Sequence, residues 1–414
     1  MSPNIHFSLF FFLSISLPVL SSPYFSPPTF PLNYQNMLNS FKIFTYTPPQ
    51  LLVLSTPAES LFFSSLINSS FLTLDPDQAH LFFVPFSSAT PTRSLSRLVN
   101  ALRTDFPYWN RTLGADHFYV SCDGLGFYSD RNLVELKKNS VQISCFPTQQ
   151  SSFVPHKDVT LPPLADPHRA PVINETKNYL GYVKYGAVKE SSLVNELSDD
   201  KDFLVERQPS DVLTSEWRLS VSKFCLFEYG DGDVSGISDA VRFGCVPMVI
   251  TDRPIQDLPL MDVLRWQEIA VFVGWKNKSG GGVKRLRHVL DRTYGDEKRY
   301  EEVRGSCVTA GQHFVWNEEP QPLDAFHMMM YQLWLRRHTI RPKTEVDLVI
   351  RLSFCISISH SLSRPLTHPP TVQPNLSIHH LFFSHSTNSL STLSVVSLYL
   401  LCRFTSYILV HRRF

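Results

Sequence analysis

The stretch Ser222 to Asp252, SKFCLFEYGDGDVSGISDAVRFGCVPMVITD, places a strand, a glycine-rich turn, a helix and a second strand within thirty-one residues. Phe224 to Phe227 is a short apolar run of strand type, and Tyr229 to Gly236 gathers the small and acidic residues that a sharp turn requires. Ile237, Ala240 and Val241 stand at i, i+3 and i+4, one face of a helix over Ile237 to Phe243, and Cys245 to Ile250 reads as a fully buried strand. Strands joined by a crossover helix and buried on both faces belong to a parallel sheet. Ligands of such sheets sit beyond the carboxyl ends of the strands, so Glu228 to Ser235 and Thr251 to Asp257 are the segments placed to meet one. The glycine spacing of GDGDVSG matches neither the dinucleotide fingerprint nor a Walker loop, so the unit alone specifies a nucleotide-binding half and no particular ligand.

Around this unit the chain reads as two α/β lobes and a returning helix. In the first, LLVL (Leu51 to Leu54) and HLFFVPF (His80 to Phe86) are strand-like runs flanking an amphipathic stretch that starts near Ala58. Ser94 to Phe106 is a helix with Leu95, Leu98, Val99 and Leu102 on one face, HFYVSCDG a strand with its carboxyl-end turn, and SVQISCF a further apolar segment. A Pro-rich polar linker over 166–178 separates this lobe (42–165) from the second (179–322), and a terminal helix over 323–342 returns toward the first. The formal net charge of +1 gives no electrostatic basis for binding nucleic acid.

The ends differ from the middle. Residues 1–41 contain no Lys, Arg, Asp or Glu, and the apolar run Phe7 to Leu20 has the length of a secretory h-region, so 1–22 is expected to be a signal peptide or signal anchor and 23–41 a Pro-rich stem. The sequons at Asn68, Asn110, Asn174, Asn277 and Asn375 suit the same route. In an oxidising lumen some of the seven cysteines should pair, but connectivity stays open, and Cys225 and Cys245 read equally well as free thiols in buried strands. From 343 to 414 the chain is a low-complexity tail rich in Ser, Leu, Pro and His, expected to be in-frame translation of non-coding sequence rather than a domain. Its His379, His380 and His385 lack the fixed surroundings of a metal site, and Ser389 to Val410 would be a marginal membrane helix with Arg403 inside it.

HLFFVPF, DHFYVSCDG (Asp116 to Gly124), the block from Ser222 with its continuation DLPLMDVLRWQEIAVFV (Asp257 to Val273), and HFVWNEEPQPLDAFHMMMYQLWLRRH (His313 to His338) together resemble the plant exostosin-like glycosyltransferases over Lys42 to Arg341. That resemblance implies an α/β fold of two Rossmann-like lobes facing a cleft, of the GT-B type. The nucleotide sugar, a UDP-sugar, would sit on the second lobe and the glycan acceptor on the first. It also implies an inverting, metal-independent transfer with no cofactor beyond the nucleotide-sugar substrate. Residues 1–22 would attach the protein to the Golgi membrane as a single-pass type II protein or release it into the lumen, with other glycosyltransferases as partners in complexes.

The resemblance also distributes roles. Asp239 matches the acidic residue one turn into the helix, where a carboxylate accepts ribose hydroxyls. Gly230, Gly232, Ser235 and Gly236 would form the turn that meets the diphosphate, with Lys223, Asp252 and Arg253 nearby. Asp231 and Asp233 fall in this phosphate-facing turn and are not expected to hold a metal. Asp123 is the candidate base, in a turn where the family usually has histidine at the position of Cys122. The arginine usual before the helix is missing from Ser235-Gly236-Ile237, and Lys189 stands where another arginine is common; Arg253 or Lys184 would compensate. A Golgi glycosyltransferase acting on a cell-wall polysaccharide or glycoprotein glycan is the leading reading, a non-catalytic glycan-binding or scaffold protein the alternative. A two-carboxylate glycoside hydrolase is disfavoured by the buried parallel units.

Overall fold

A computed structural model of the chain describes residues 22–47, 52, 54–125, 130–148, 152–164, 176–184, 192–208, 211–230, 234–274 and 282–340. All lie in one compact unit, Met1–Arg341. The expected signal segment, most of the linker, and the tail with its histidines lie outside the described residues.

Eleven strands form two sheets. The first contains β1 (Ile43–Thr45), β2 (Leu72–Thr73), β3 (Leu81–Phe83), β4 (His117–Val120), β5 (Val141–Cys145) and β6 (Val159–Leu161), in the order β2-β1-β3-β4-β5-β6. The second contains β7 (Tyr179–Lys184), β8 (Phe203–Glu206), β9 (Ser222–Glu228), β10 (Val246–Thr251) and β11 (Val271–Gly274), in the order β11-β10-β9-β7-β8. Every pairing in both sheets is parallel. In each, the second strand lies on one side of the first and all later strands on the other, so both lobes are doubly wound on one plan. The α/β class and the two Rossmann-like lobes implied by the resemblance are present. Leu81, Phe82 and Phe83 are all buried, as are Phe224 to Phe227, the continuous apolar runs that helices on both faces demand.

Three expectations are corrected. Residues 23–41 are not a stem: Phe30–Ser40 is a helix whose Phe30, Tyr34 and Met37, at i, i+4 and i+7, are buried. Phe30 meets Tyr331 of the terminal helix Ala325–Ile340 edge-on at 5.4 Å, and Tyr24 bridges to Leu264. A charge-free, proline-rich sequence can still present an apolar stripe to a waiting helix. Second, Leu52 and Leu54 belong to no strand; the first strand is the shorter β1. Third, Cys225 and Cys245 are not free thiols but a disulfide, as are Cys122 and Cys145; Cys307 is free and buried.

The terminal helix joins the lobes through packing. Phe326 lies 5.9 Å from Phe62 and 6.2 Å from Phe71 of the first lobe, while the Trp316 indole just before the helix donates to the Pro162 carbonyl at 3.1 Å. His313 fastens the start of the described chain. Its Nδ1–H donates to the Leu323 carbonyl at 2.8 Å, so its Nε2 accepts from the Tyr24 hydroxyl at 2.8 Å. Burial pushes this imidazole down to about 4, keeping it neutral.

Candidate functional site

In the second sheet the strand order reverses between β7 and β9, which opens a crevice at their carboxyl ends. Lys184 closes β7 and Glu228 closes β9. Gly236 caps the helix Ile237–Arg242, and Asp239 lies in its first turn. The Asp239 side chain is 39% exposed and is bound by Arg242, itself buried, at 3.2 Å. Burial raises its carboxyl above the ordinary range; Arg242 and then Lys184 pull it back. Asp239 stands in the first turn of the helix that follows β9, so chain order puts it at the carboxyl end of the sheet, the same end at which Lys184 closes β7.

Arg253 forms the next part. It follows β10, where the Thr251 hydroxyl donates to its carbonyl at 2.7 Å and its amide donates back to Thr251 Oγ1 at 3.2 Å. Its guanidinium carbon lies 5.6 Å from the centroid of the Tyr229 ring. It also crosses Gly230, whose φ of +101° calls for glycine, and a Cβ there would stand 2.6 Å from Nη2 and displace the guanidinium. Tyr229 donates its hydroxyl to Asp257, and its phenol is pushed up by burial first and by that bond second.

In the first lobe, Asp123 is exposed in the turn after β4. The turn is held from beneath. Glu59, buried in the helix Pro57–Ile67, accepts from the Cys122 amide at 2.9 Å while closing a capping box with Thr56. The Cys122–Cys145 disulfide ties the turn to the end of β5. Gly124, at φ +70°, leaves room only for Ser152, whose Oγ would stand 2.2 Å from a Cβ there. Buried Lys137, pushed down to about 8 chiefly by burial, donates to Gln142 Oε1 at 2.8 Å, and that oxygen also receives the Leu125 amide at 3.0 Å.

The structure gathers Gly230, Arg253, Gly236 and Asp239, with Lys184, at one end of the second sheet. Asp252, exposed, precedes Arg253, and exposed Ser235 precedes the helix cap. Lys223 is corrected: it lies at the amino end of β9, with its ammonium 3.6 Å from the Tyr294 ring centroid, the length of the strand away from the turn. Gly232, Asp231, Asp233 and Lys189 lie outside the described residues, as do Asn174, Asn277 and Asn375. Asn68 and Asn110 are exposed. Sequence reasoning missed Glu59, Tyr229 and Arg242, although two of them leave local signals: Thr56 and Glu59 stand at capping-box spacing and Asp239 and Arg242 at i, i+3, whereas the Tyr229–Asp257 bond spans 28 residues. Among the described residues, no group of three or more His, Cys, Asp or Glu side chains is placed to hold a metal ion.

Comparison with known proteins gives the site a context. Residues 37–285 match the model of the exostosin GT47 domain. A "Probable glycosyltransferase" of Arabidopsis thaliana is 29% identical over 360 residues, covering 78% of this chain and 72% of that protein. A second from the same plant is 27% identical over 352 residues, covering 77% and 73%. A "Probable glucuronosyltransferase" of Oryza sativa subsp. japonica is 25% identical over 314 residues, covering 66% and 72%.

Proposed function

Because the chain belongs to the exostosin GT47 family, we propose that it transfers a sugar from a UDP-sugar to a cell-wall polysaccharide or glycoprotein glycan, inverting the anomeric centre without a metal. The observation that supports this reading is that Lys184, Gly230 and Arg253 close or follow the carboxyl ends of β7, β9 and β10, with Asp239 in the first turn of the helix after β9. There Asp239 accepts the ribose hydroxyls, held in place by Arg242, and Arg253 and Lys184 offset the charge of the diphosphate. Asp123, on the first lobe, takes the proton of the acceptor hydroxyl. That oxygen attacks the anomeric carbon from the face opposite the diphosphate, the bond to the phosphate oxygen breaks, and UDP leaves.

The setting proposed is the Golgi lumen, with residues 1–22 as signal peptide or anchor. Two disulfides in a single unit and the exposed sequon asparagines Asn68 and Asn110 support an oxidising, secretory compartment. No helix among the described residues is long and apolar enough to cross a membrane. A non-catalytic, glycan-binding role is favoured by one observation: the sulfur of Cys122, where the resemblance expects histidine, is tied up in a disulfide. Incubation with a panel of UDP-sugars and wall oligosaccharides decides between them. Transfer with inverted configuration, undiminished by chelator, is expected; glycan binding without transfer from any donor would leave the scaffold reading.

A further inference from the structure

We propose that Asp257 is a positioning residue that fixes the donor turn of the second lobe against the first lobe, so that Thr148, across the lobe boundary, controls affinity for a nucleoside diphosphate. The inference rests on the donor-site reading above and adds the element that sets the geometry of Arg253.

Asp257 is 4% exposed and ends the segment Thr251 to Asp257 that leads out of β10. Its Oδ1 accepts from the Tyr229 hydroxyl. Its Oδ2 accepts both the amide of Thr148 at 3.2 Å and the Thr148 hydroxyl at 2.6 Å. A buried carboxylate is tolerated only where its lone pairs are met, and here all three donors come from groups distant in sequence. One comes from the residue immediately before Gly230, the others from the segment after β5.

Each bond transmits a constraint. The bond to Asp257 fixes the Tyr229 ring, on whose face the Arg253 guanidinium rests where it passes over the bare backbone of Gly230. On the other side, Thr148 lies three residues after Cys145, which is bridged to Cys122 beside Asp123. Asp257 is therefore the junction of two rigid paths, one ending at the diphosphate-facing cation and one at the candidate base. A carboxylate serving only as glue would affect stability; one that sets Arg253 changes donor affinity as well. Spatial adjacency alone does not establish coupling, so the test is a mutant cycle.

UDP is titrated calorimetrically into the full chain and into Tyr229→Phe, Thr148→Val, the double variant and Asp257→Asn, at a temperature where circular dichroism shows each folded. Thr148→Val is close to isosteric, removes the hydroxyl that donates to Asp257, and carries the test if Asp257→Asn fails to fold. Each single change is expected to weaken UDP about tenfold, and the double variant little further, because both break one path. Thr148→Val binding UDP within about twofold of wild type overturns the proposal while leaving the donor site intact. If the wild-type chain does not bind UDP, the donor reading itself falls, and this proposal with it.

Discussion

The neutral, buried His313 predicts an acid-labile latch whose magnitude follows from its surroundings. The folded ring is pushed down to about 4 by burial, against 6.5 in the unfolded chain. Between these values the unfolded chain binds a proton that the folded protein excludes, so this residue's contribution to stability is complete above pH 6.5 and is lost as pH falls toward 4. At ~1.36 kcal/mol per pH unit the interval is worth about 3 kcal/mol. The cause is desolvation rather than a lost bond, since the Tyr24 hydroxyl can rotate to accept from a protonated ring. His313→Gln retains one donor for the Leu323 carbonyl and one acceptor for Tyr24, but does not titrate. Urea denaturation of both proteins at intervals from pH 7.5 to 4 isolates the term by subtraction, removing the contribution of buried His117, which both share. The wild-type protein should lose about 3 kcal/mol more than the variant across that range. A difference that does not change with pH would refute the reasoning.

Three further outcomes are expected. Glu59→Ala removes an acceptor of backbone amides in a buried capping box and should destabilise the protein by about 3 kcal/mol in urea unfolding; a loss below about 1 kcal/mol would mean that water replaces it. Phe326→Ala, which empties the space between Phe62 and Phe71, should cost about 3 to 5 kcal/mol and lower the melting temperature, whereas an unchanged melting curve would deny that the terminal helix joins the lobes through this contact. Asp123→Asn should abolish transfer while leaving UDP affinity intact; full activity in the variant would remove Asp123 from the role of base.

Much of the second lobe was legible because its strands are buried on both faces and so read as unbroken apolar runs between turn residues. Phe224 to Phe227 and Cys245 to Ile250 fall in β9 and β10 for that reason. The helix Phe30–Ser40 was not legible, because its stripe of Phe30, Tyr34 and Met37 makes sense only against Tyr331, some three hundred residues later. Its prolines suggested coil, although one of them occupies a helix start, where proline is tolerated. Lys223 was misplaced by its closeness in sequence to the turn, although it precedes the apolar run Phe224 to Phe227 and so stands at the amino end of the strand, away from the ligand side. Asp239 and Gly230 were accessible through the βαβ pattern. Asp257 falls in a segment that the sequence already puts beyond β10, but its partnership with Thr148 was not legible, since the two meet across 109 residues. Cysteine pairing, too, depends on which strands become neighbours: β4 beside β5 brings Cys122 to Cys145, and β9 beside β10 brings Cys225 to Cys245.

The central claim is that a nucleotide sugar binds at the carboxyl end of the second sheet with its ribose on Asp239. Calorimetric titration of UDP into the wild-type chain and into Asp239→Ala tests it most directly. Saturable binding is expected for the wild type, weakened about 10- to 100-fold by loss of the charged hydrogen-bond acceptor. Equal affinity in the two proteins would contradict the account.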